Sequence, residues 1–155
     1  MKTAIVYTTK QGTTKQVATQ LAAKIPDAVA LPLKGTDFNE LKMYQTIIIG
    51  SPVTAGMISK EMKTFMTTYQ EELKQYRLGL FLCGLQPEKA TEVFEQNFPA
   101  ELLQHATIKT FVGGIYDPKQ CPFFSRLIIK KVAGLTNYTN LLKHEKIDEL
   151  AKIFS

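Results

Sequence analysis

Seven consecutive residues, Thr8-Thr9-Lys10-Gln11-Gly12-Thr13-Thr14, bring together four hydroxyls, one amide, one cation and one glycine. They join a short β-rich run, Thr3 to Tyr7, to a stretch where Val17, Leu21, Ala22 and Ile25 recur at helical spacing. A helix N-terminus presents free backbone N–H groups and a partial positive charge. With hydroxyl donors and a permissive glycine added, such a turn is an anion cradle, most naturally for phosphate. It is not a Walker loop, since no Gly-Lys-Ser/Thr follows an earlier glycine at the required spacing. It is not the dinucleotide fingerprint either, because only one glycine is present. The same residues also suit a plain polar turn with Thr as N-cap.

Two further turns hold small and polar residues where a ligand could sit. One is Ser51-Pro52-Val53-Thr54-Ala55-Gly56, and the other is Cys83-Gly84-Leu85-Gln86. The first also reads simply as a turn that starts a helix. His105 and His144 are far apart and read as surface residues, and no metal-ligand spacing exists. Cys83 and Cys121 make no disulfide framework and no four-ligand zinc site. Neither has a neighbouring pattern that argues for a lowered pKa. Free thiols accord with a reducing cytoplasm.

These turns need elements to position them. Strands are expected at Thr3 to Tyr7, Ala28 to Leu33, Thr46 to Gly50, Leu78 to Cys83 and Lys109 to Ile115. Thr46-Ile47-Ile48-Ile49-Gly50 shows no polar alternation, as a strand buried on both faces requires. Helices are expected after each strand. Ser59 is an N-cap for Met62, Phe65, Met66, Tyr69 and Leu73, and Pro99 breaks the helical run between Pro87 and His105. Phe123 to Leu135 and Glu145 to Phe154 are also helical. Alternating strands and helices imply a parallel sheet covered on both faces. The chain of 155 residues therefore reads as one α/β domain, 1–155, a doubly wound five-stranded parallel sheet. Ligands of such folds sit at the carboxyl ends of the strands, where the three turns lie.

The turn after the first strand resembles the flavodoxin signature. Ile5, Val6, Tyr7, Thr9, Gly12, Thr14, Ala18 and Leu21 match it at every specified position. The resemblance implies strand order 2-1-3-4-5 and FMN as cofactor, with flavin rather than a catalytic side chain carrying the electrons. It further implies that Thr9, Gly12, Thr13 and Thr14, with the backbone of Lys10 and Gln11, hold the FMN phosphate. Ser51, Pro52, Val53, Thr54, Ala55 and Gly56, together with Cys83, Gly84, Leu85 and Gln86, then flank the flavin ring. Neither ring loop offers an aromatic.

Within that family the last third is similar to the menaquinone-dependent protoporphyrinogen IX dehydrogenase branch. The carrying residues are Gly113-Gly114-Ile115-Tyr116-Asp117-Pro118 and the aromatic-Arg-hydrophobic-basic run Phe123 to Lys131. The chain looks like a shortened member, and the resemblance implies an FMN-dependent oxidoreductase with quinone or porphyrinogen as substrate. The alternative within the family is a flavodoxin-type electron carrier. An alternative of another class is a doubly wound binding module without flavin. A receiver domain shares the topology but needs acidic residues where Thr8-Thr9 and Ser51-Pro52 stand.

Charge adds one more expectation. The net charge is +5, and residues 119 to 143 hold Lys119, Arg126, Lys130, Lys131 and Lys143 with no acid at all. The whole excess thus lies in one segment, whereas carrier flavodoxins are typically acidic. Phe123, Phe124, Leu127, Ile128, Val132 and Leu135 read as an apolar stripe opposite Arg126, Lys130 and Lys131. The first reading is a helix covering the sheet with its basic face in water. The second is peripheral contact with an anionic membrane through Phe123, Phe124, Arg126, Lys130 and Lys131. No targeting segment or membrane span is legible, so a cytoplasmic protein is expected. No nucleic-acid recognition pattern appears.

Overall fold

The computed structural model describes residues 1–155. Its first half contains β1 (Thr3–Tyr7), α1 (Thr13–Lys24), β2 (Ala28–Pro32), α2 (Phe38–Leu41), β3 (Thr46–Thr54), β4 (Met57–Ile58), α3 (Lys60–Thr68) and α4 (Gln70–Leu73). The second half contains β5 (Arg77–Cys83), α5 (Ala90–Asn97), α6 (Ala100–His105), β6 (Ile108–Phe111), β7 (Ile115–Tyr116), α7 (Phe123–Ala133), β8 (Thr139–Asn140) and α8 (His144–Ile153). Five strands pair in the order β2-β1-β3-β5-β6, all parallel. Without the short β4 hairpin strand, this is the expected order.

The apolar strands divide their side chains between two cores because successive residues point to opposite faces. Ala4, Val6, Ile47, Ile49, Leu80 and Leu82 pack with Met62, Met66, Leu73, Phe94 and Leu102 on one face. Ile5, Tyr7, Ile48, Phe81 and Cys83 pack with Val17, Leu21, Ile147, Leu150 and Phe154 on the other. α8 therefore joins α1 on that second face, and a Lys24–Asp148 ion pair of 2.7 Å links them at the surface. Gly79 makes room for α8, since a Cβ there would stand 2.6 Å from the Phe154 ring.

Three local features depart from expectation. β3 continues past Gly50 to Thr54 and turns back into β4, with Val53 opposite Ile58. The turn residues Ala55 and Gly56 have φ of +51° and +77°, the signature of a hairpin turn whose twist suits the strands. The fifth parallel strand ends at Phe111, short of Ile115. Gly113 has φ +82°, and a Cβ on it would overlap the Leu141 carbonyl. There the chain leaves the sheet, runs through β7, α7 and β8 (with β7 and β8 paired antiparallel), and returns when Leu141 N donates to Gly114 O at 2.7 Å.

The third departure corrects the first reading of the basic segment. α7 does not cover the sheet, and none of its residues is buried. Other helices cover both faces of the sheet, α1 and α8 on one and α2 to α6 on the other. No helix is long and apolar enough to cross a membrane.

Candidate functional site

The carboxyl ends of β1, β3 and β5 and the segment after β6 open into one cavity of about 470 Å³, a normal size for a small-molecule site. Three turns wall it. The β1–α1 turn contributes Thr9, Lys10, Gln11, Thr13 and Thr14; the β3–β4 hairpin contributes Pro52, Val53, Thr54, Ala55 and Gly56; the loop after β5 contributes Cys83, Gly84, Leu85 and Gln86. Gly12 and Ser51 are absent from the lining. Gly12 shapes the turn instead, with φ +96° and its N–H donating to Thr9 Oγ1 at 3.0 Å. Ser51 is buried, and its Oγ accepts from Ser59 N at 3.2 Å and donates to Pro52 O at 2.9 Å. Thr8 Oγ1 lies 2.7 Å from Ser59 Oγ. Thr8 and Ser51 thus brace the floor between β1, β3 and α3.

One end of the cavity is rich in free donors. The backbone N–H groups of Thr9, Lys10, Gln11, Thr13, Thr14 and Lys15 make no hydrogen bond within the chain. The first turn of α1 carries no acidic residue, so its positive end is uncompensated. Thr14 Oγ1 is buried without a hydrogen-bond partner, a condition that costs roughly 1–3 kcal/mol. An anion placed there would satisfy it.

The other end is apolar. Val53, Leu85, Phe111 and Tyr116 stand in its wall. The two loops touch here, with Gly84 N donating to Gly113 O at 2.9 Å. Asn97, buried on α5, holds the hairpin from behind through Gly56 O at 2.9 Å and Ile58 N at 3.3 Å. Cys83 at the floor is neutral. Burial pushes its thiol up to about 12, opposed by the nearby Thr14 hydroxyl, whose geometry falls short of a hydrogen bond to the sulfur.

α7 roofs the cavity. Ser125, Ile128, Ile129 and Val132, spaced i, i+3, i+4 and i+7, line it and so share one helix face. Both loops below reach toward this excursion. Gln11 Nε2 donates to Cys121 Sγ at 3.2 Å, and Gln86 Nε2 approaches Val132 O at 3.5 Å. The expected apolar stripe is therefore split. Ile128 and Val132 line the cavity while staying 52% exposed each, and Phe123, Phe124, Leu127, Arg126, Lys130 and Lys131 are exposed outside that lining.

Several of these residues lay outside the sequence reading of the site. Tyr116 had a signal, since it follows the Gly-Gly pair that carried the family resemblance. Ile128, Ile129 and Val132 showed only an apolar periodicity, which gives no partner. Asn97 and Phe111 showed nothing local.

A family model described as a flavodoxin domain matches residues 4–141. No curated protein matches the chain significantly. Among solved structures, a short-chain flavodoxin associated with a non-canonical PDU bacterial microcompartment is similar at TM-score 0.61 and 15% identity, over 100% of each chain. The Fusobacterium nucleatum flavodoxin bound to flavin mononucleotide is similar at TM-score 0.52 and 16% identity, over 76% of this chain and 72% of that one. The Flv1 flavodiiron core from Synechocystis sp. PCC6803 is similar at TM-score 0.57 and 18% identity, over 73% of this chain and 30% of that one. This chain spans about a third of the length of the flavodiiron structures it matches. These likenesses concern the fold. The domain match covers most of the sequence and includes every wall of the cavity, and on it the chain belongs to the flavodoxin-domain family.

Proposed function

We propose that the cavity binds FMN and that the chain is an FMN-dependent oxidoreductase resembling menaquinone-dependent protoporphyrinogen IX dehydrogenase. One observation carries the cofactor: the orphaned Thr14 hydroxyl stands among unpaired N–H groups at one end of a cavity whose other end is apolar. A phosphate monoester suits the first end and a flat aromatic ring the second. The hydroxyls of Thr9, Thr13 and Thr14 and the N–H groups of Lys10 and Gln11 hold the phosphate in this reading. Gly12 sets the turn. Val53 to Gly56 and Gly84 to Gln86 flank the ring, while Ile128 and Val132 keep water from it. Bound FMN supplies the electron transfer, and the residues supply position and exclusion. The F. nucleatum neighbour was solved bound to this cofactor.

The dehydrogenase reading, with a porphyrinogen as donor and a quinone as acceptor, is supported by the segment after β6. Its aromatic-Arg-hydrophobic-basic helix borders the cavity and carries the positive charge that acidic carriers lack. A flavodoxin-type carrier is the second reading, favoured by the overlay with a short-chain flavodoxin over the whole of both chains.

Titration of the purified chain with FMN, followed by visible absorbance and flavin fluorescence, tests the cofactor. A yellow complex is expected, and a protein that stays colourless overturns both flavin readings in favour of a non-flavin module. Anaerobic incubation of the yellow protein with protoporphyrinogen IX and a menaquinone analogue separates the other two. Porphyrin formation supports the dehydrogenase, and its absence leaves the carrier.

A further inference from the structure

We infer that the outward face of α7 docks on an anionic lipid surface. One face of this helix lines the cavity through Ser125, Ile128, Ile129 and Val132, with Ile128 and Val132 still 52% exposed, and the other face lies outside that lining. Phe123, Leu127 and Lys130, at i, i+4 and i+7, share the outward side, with Arg126 to one flank and Phe124 and Lys131 to the other. The apolar members are far from buried: Phe123 is 64%, Phe124 78% and Leu127 49% exposed. The three cations take part in no ion pair, and no Asp or Glu occurs from residue 119 to 143. The loop that follows adds Tyr138, 61% exposed.

A lipid surface matches both halves of this face. Long basic side chains reach headgroup phosphates while their stems and the phenyl rings lie against acyl chains. An acidic protein surface would match the cations but would set the phenyl rings against carboxylates. The charge complementarity thus selects an anionic bilayer. Docking there would put the roof of the cavity at the membrane boundary, next to any substrate dissolved in lipid. The contact itself involves only the outer surface of α7. Vesicle binding by the full chain therefore reports on it whether or not FMN is bound, and its failure is distinguishable from failure of the FMN reading.

The test is cosedimentation of the full chain with phosphatidylglycerol-rich vesicles and with pure phosphatidylcholine vesicles. Binding to the first and not the second is expected. K130Q/K131Q should lower the partition coefficient roughly 30-fold, and F123S/F124S should lower it on the order of tenfold or more. Both variants should melt as the wild type does, because the four side chains are exposed. Absence of binding, or equal binding to both vesicle types, overturns the inference. So does anionic binding that survives F123S/F124S, or retention on heparin that depends on the lysines while vesicles are ignored. Those outcomes mark a plain polyanion contact with an acidic protein or nucleic acid.

Discussion

The side-chain amide of Asn97 donates to the Gly56 carbonyl at 2.9 Å, so α5 holds the hairpin that walls the cavity. The same amide donates to Val93 O at 2.8 Å, and Asn97 Oδ1 accepts from Ile58 N at 3.3 Å. One buried side chain therefore ties together a helix, the hairpin turn and β4. Asn97→Ala should cost about 2–3 kcal/mol, because it strands buried partners as well as losing the bonds. Urea denaturation measures this. FMN affinity should fall with it, about tenfold, as the hairpin loses its anchor. Wild-type stability in the variant would remove Asn97 from the account of the site.

Thr14 should trade stability for binding. Its hydroxyl is buried and unpaired, so Thr14→Val should raise the stability of the FMN-free chain by about 1 kcal/mol. The variant should also bind FMN more weakly, by about tenfold or more, since a hydrogen bond to a charged group contributes roughly 1.5–3 kcal/mol. Thermal unfolding with and without FMN reads both effects. A variant that is less stable and binds equally well would show that the hydroxyl serves the fold alone.

Ala55 carries backbone strain at the tip of the hairpin, with φ +51°. The left-handed region costs a non-glycine residue roughly 1–2 kcal/mol. Ala55→Gly relieves that but loosens the unfolded chain, which costs about 0.4–1 kcal/mol. A net gain of about 0.5–1 kcal/mol is expected in denaturant titration. A loss would mean that the Ala55 methyl makes contacts worth more than the strain.

Cys83 should give the protein an alkaline limb. Its thiol is pushed from an ordinary 9.0 up to about 12 by burial. Below pH 9 it is protonated in both folded and unfolded chains, and its contribution to stability is fully present. Above that the unfolded chain loses its proton first, so stability falls as pH rises through about 12. Cys83→Ala should flatten the decline between these values, measured by unfolding at stepped pH. At pH 8 iodoacetamide should modify Cys121, which lines the cavity, and spare Cys83. FMN should then protect Cys121.

Much of the fold is legible in the sequence because its signals are local. Ile47-Ile48-Ile49 can only be a strand covered on both faces, and the turn from Thr8 to Thr14 carries its donors and its glycine in one contiguous stretch. The hairpin was missed because its stability comes from Asn97, more than forty residues away in sequence. The placement of α7 was missed for a related reason. An apolar stripe shows that a helix has something to cover, and never what. α8 has the better claim on the sheet, since Ile147, Leu150 and Phe154 are buried and Gly79 opens a seat for the Phe154 ring. With that face filled, and with Gly113 turning the chain away from the sheet, α7 was left to roof the cavity. The sequence by itself therefore determined the sheet, the donor-rich turn after β1 and the concentration of positive charge. Tertiary packing alone decided that the charged helix stands over the cavity, because competition between helices for one sheet face is a property of the whole chain.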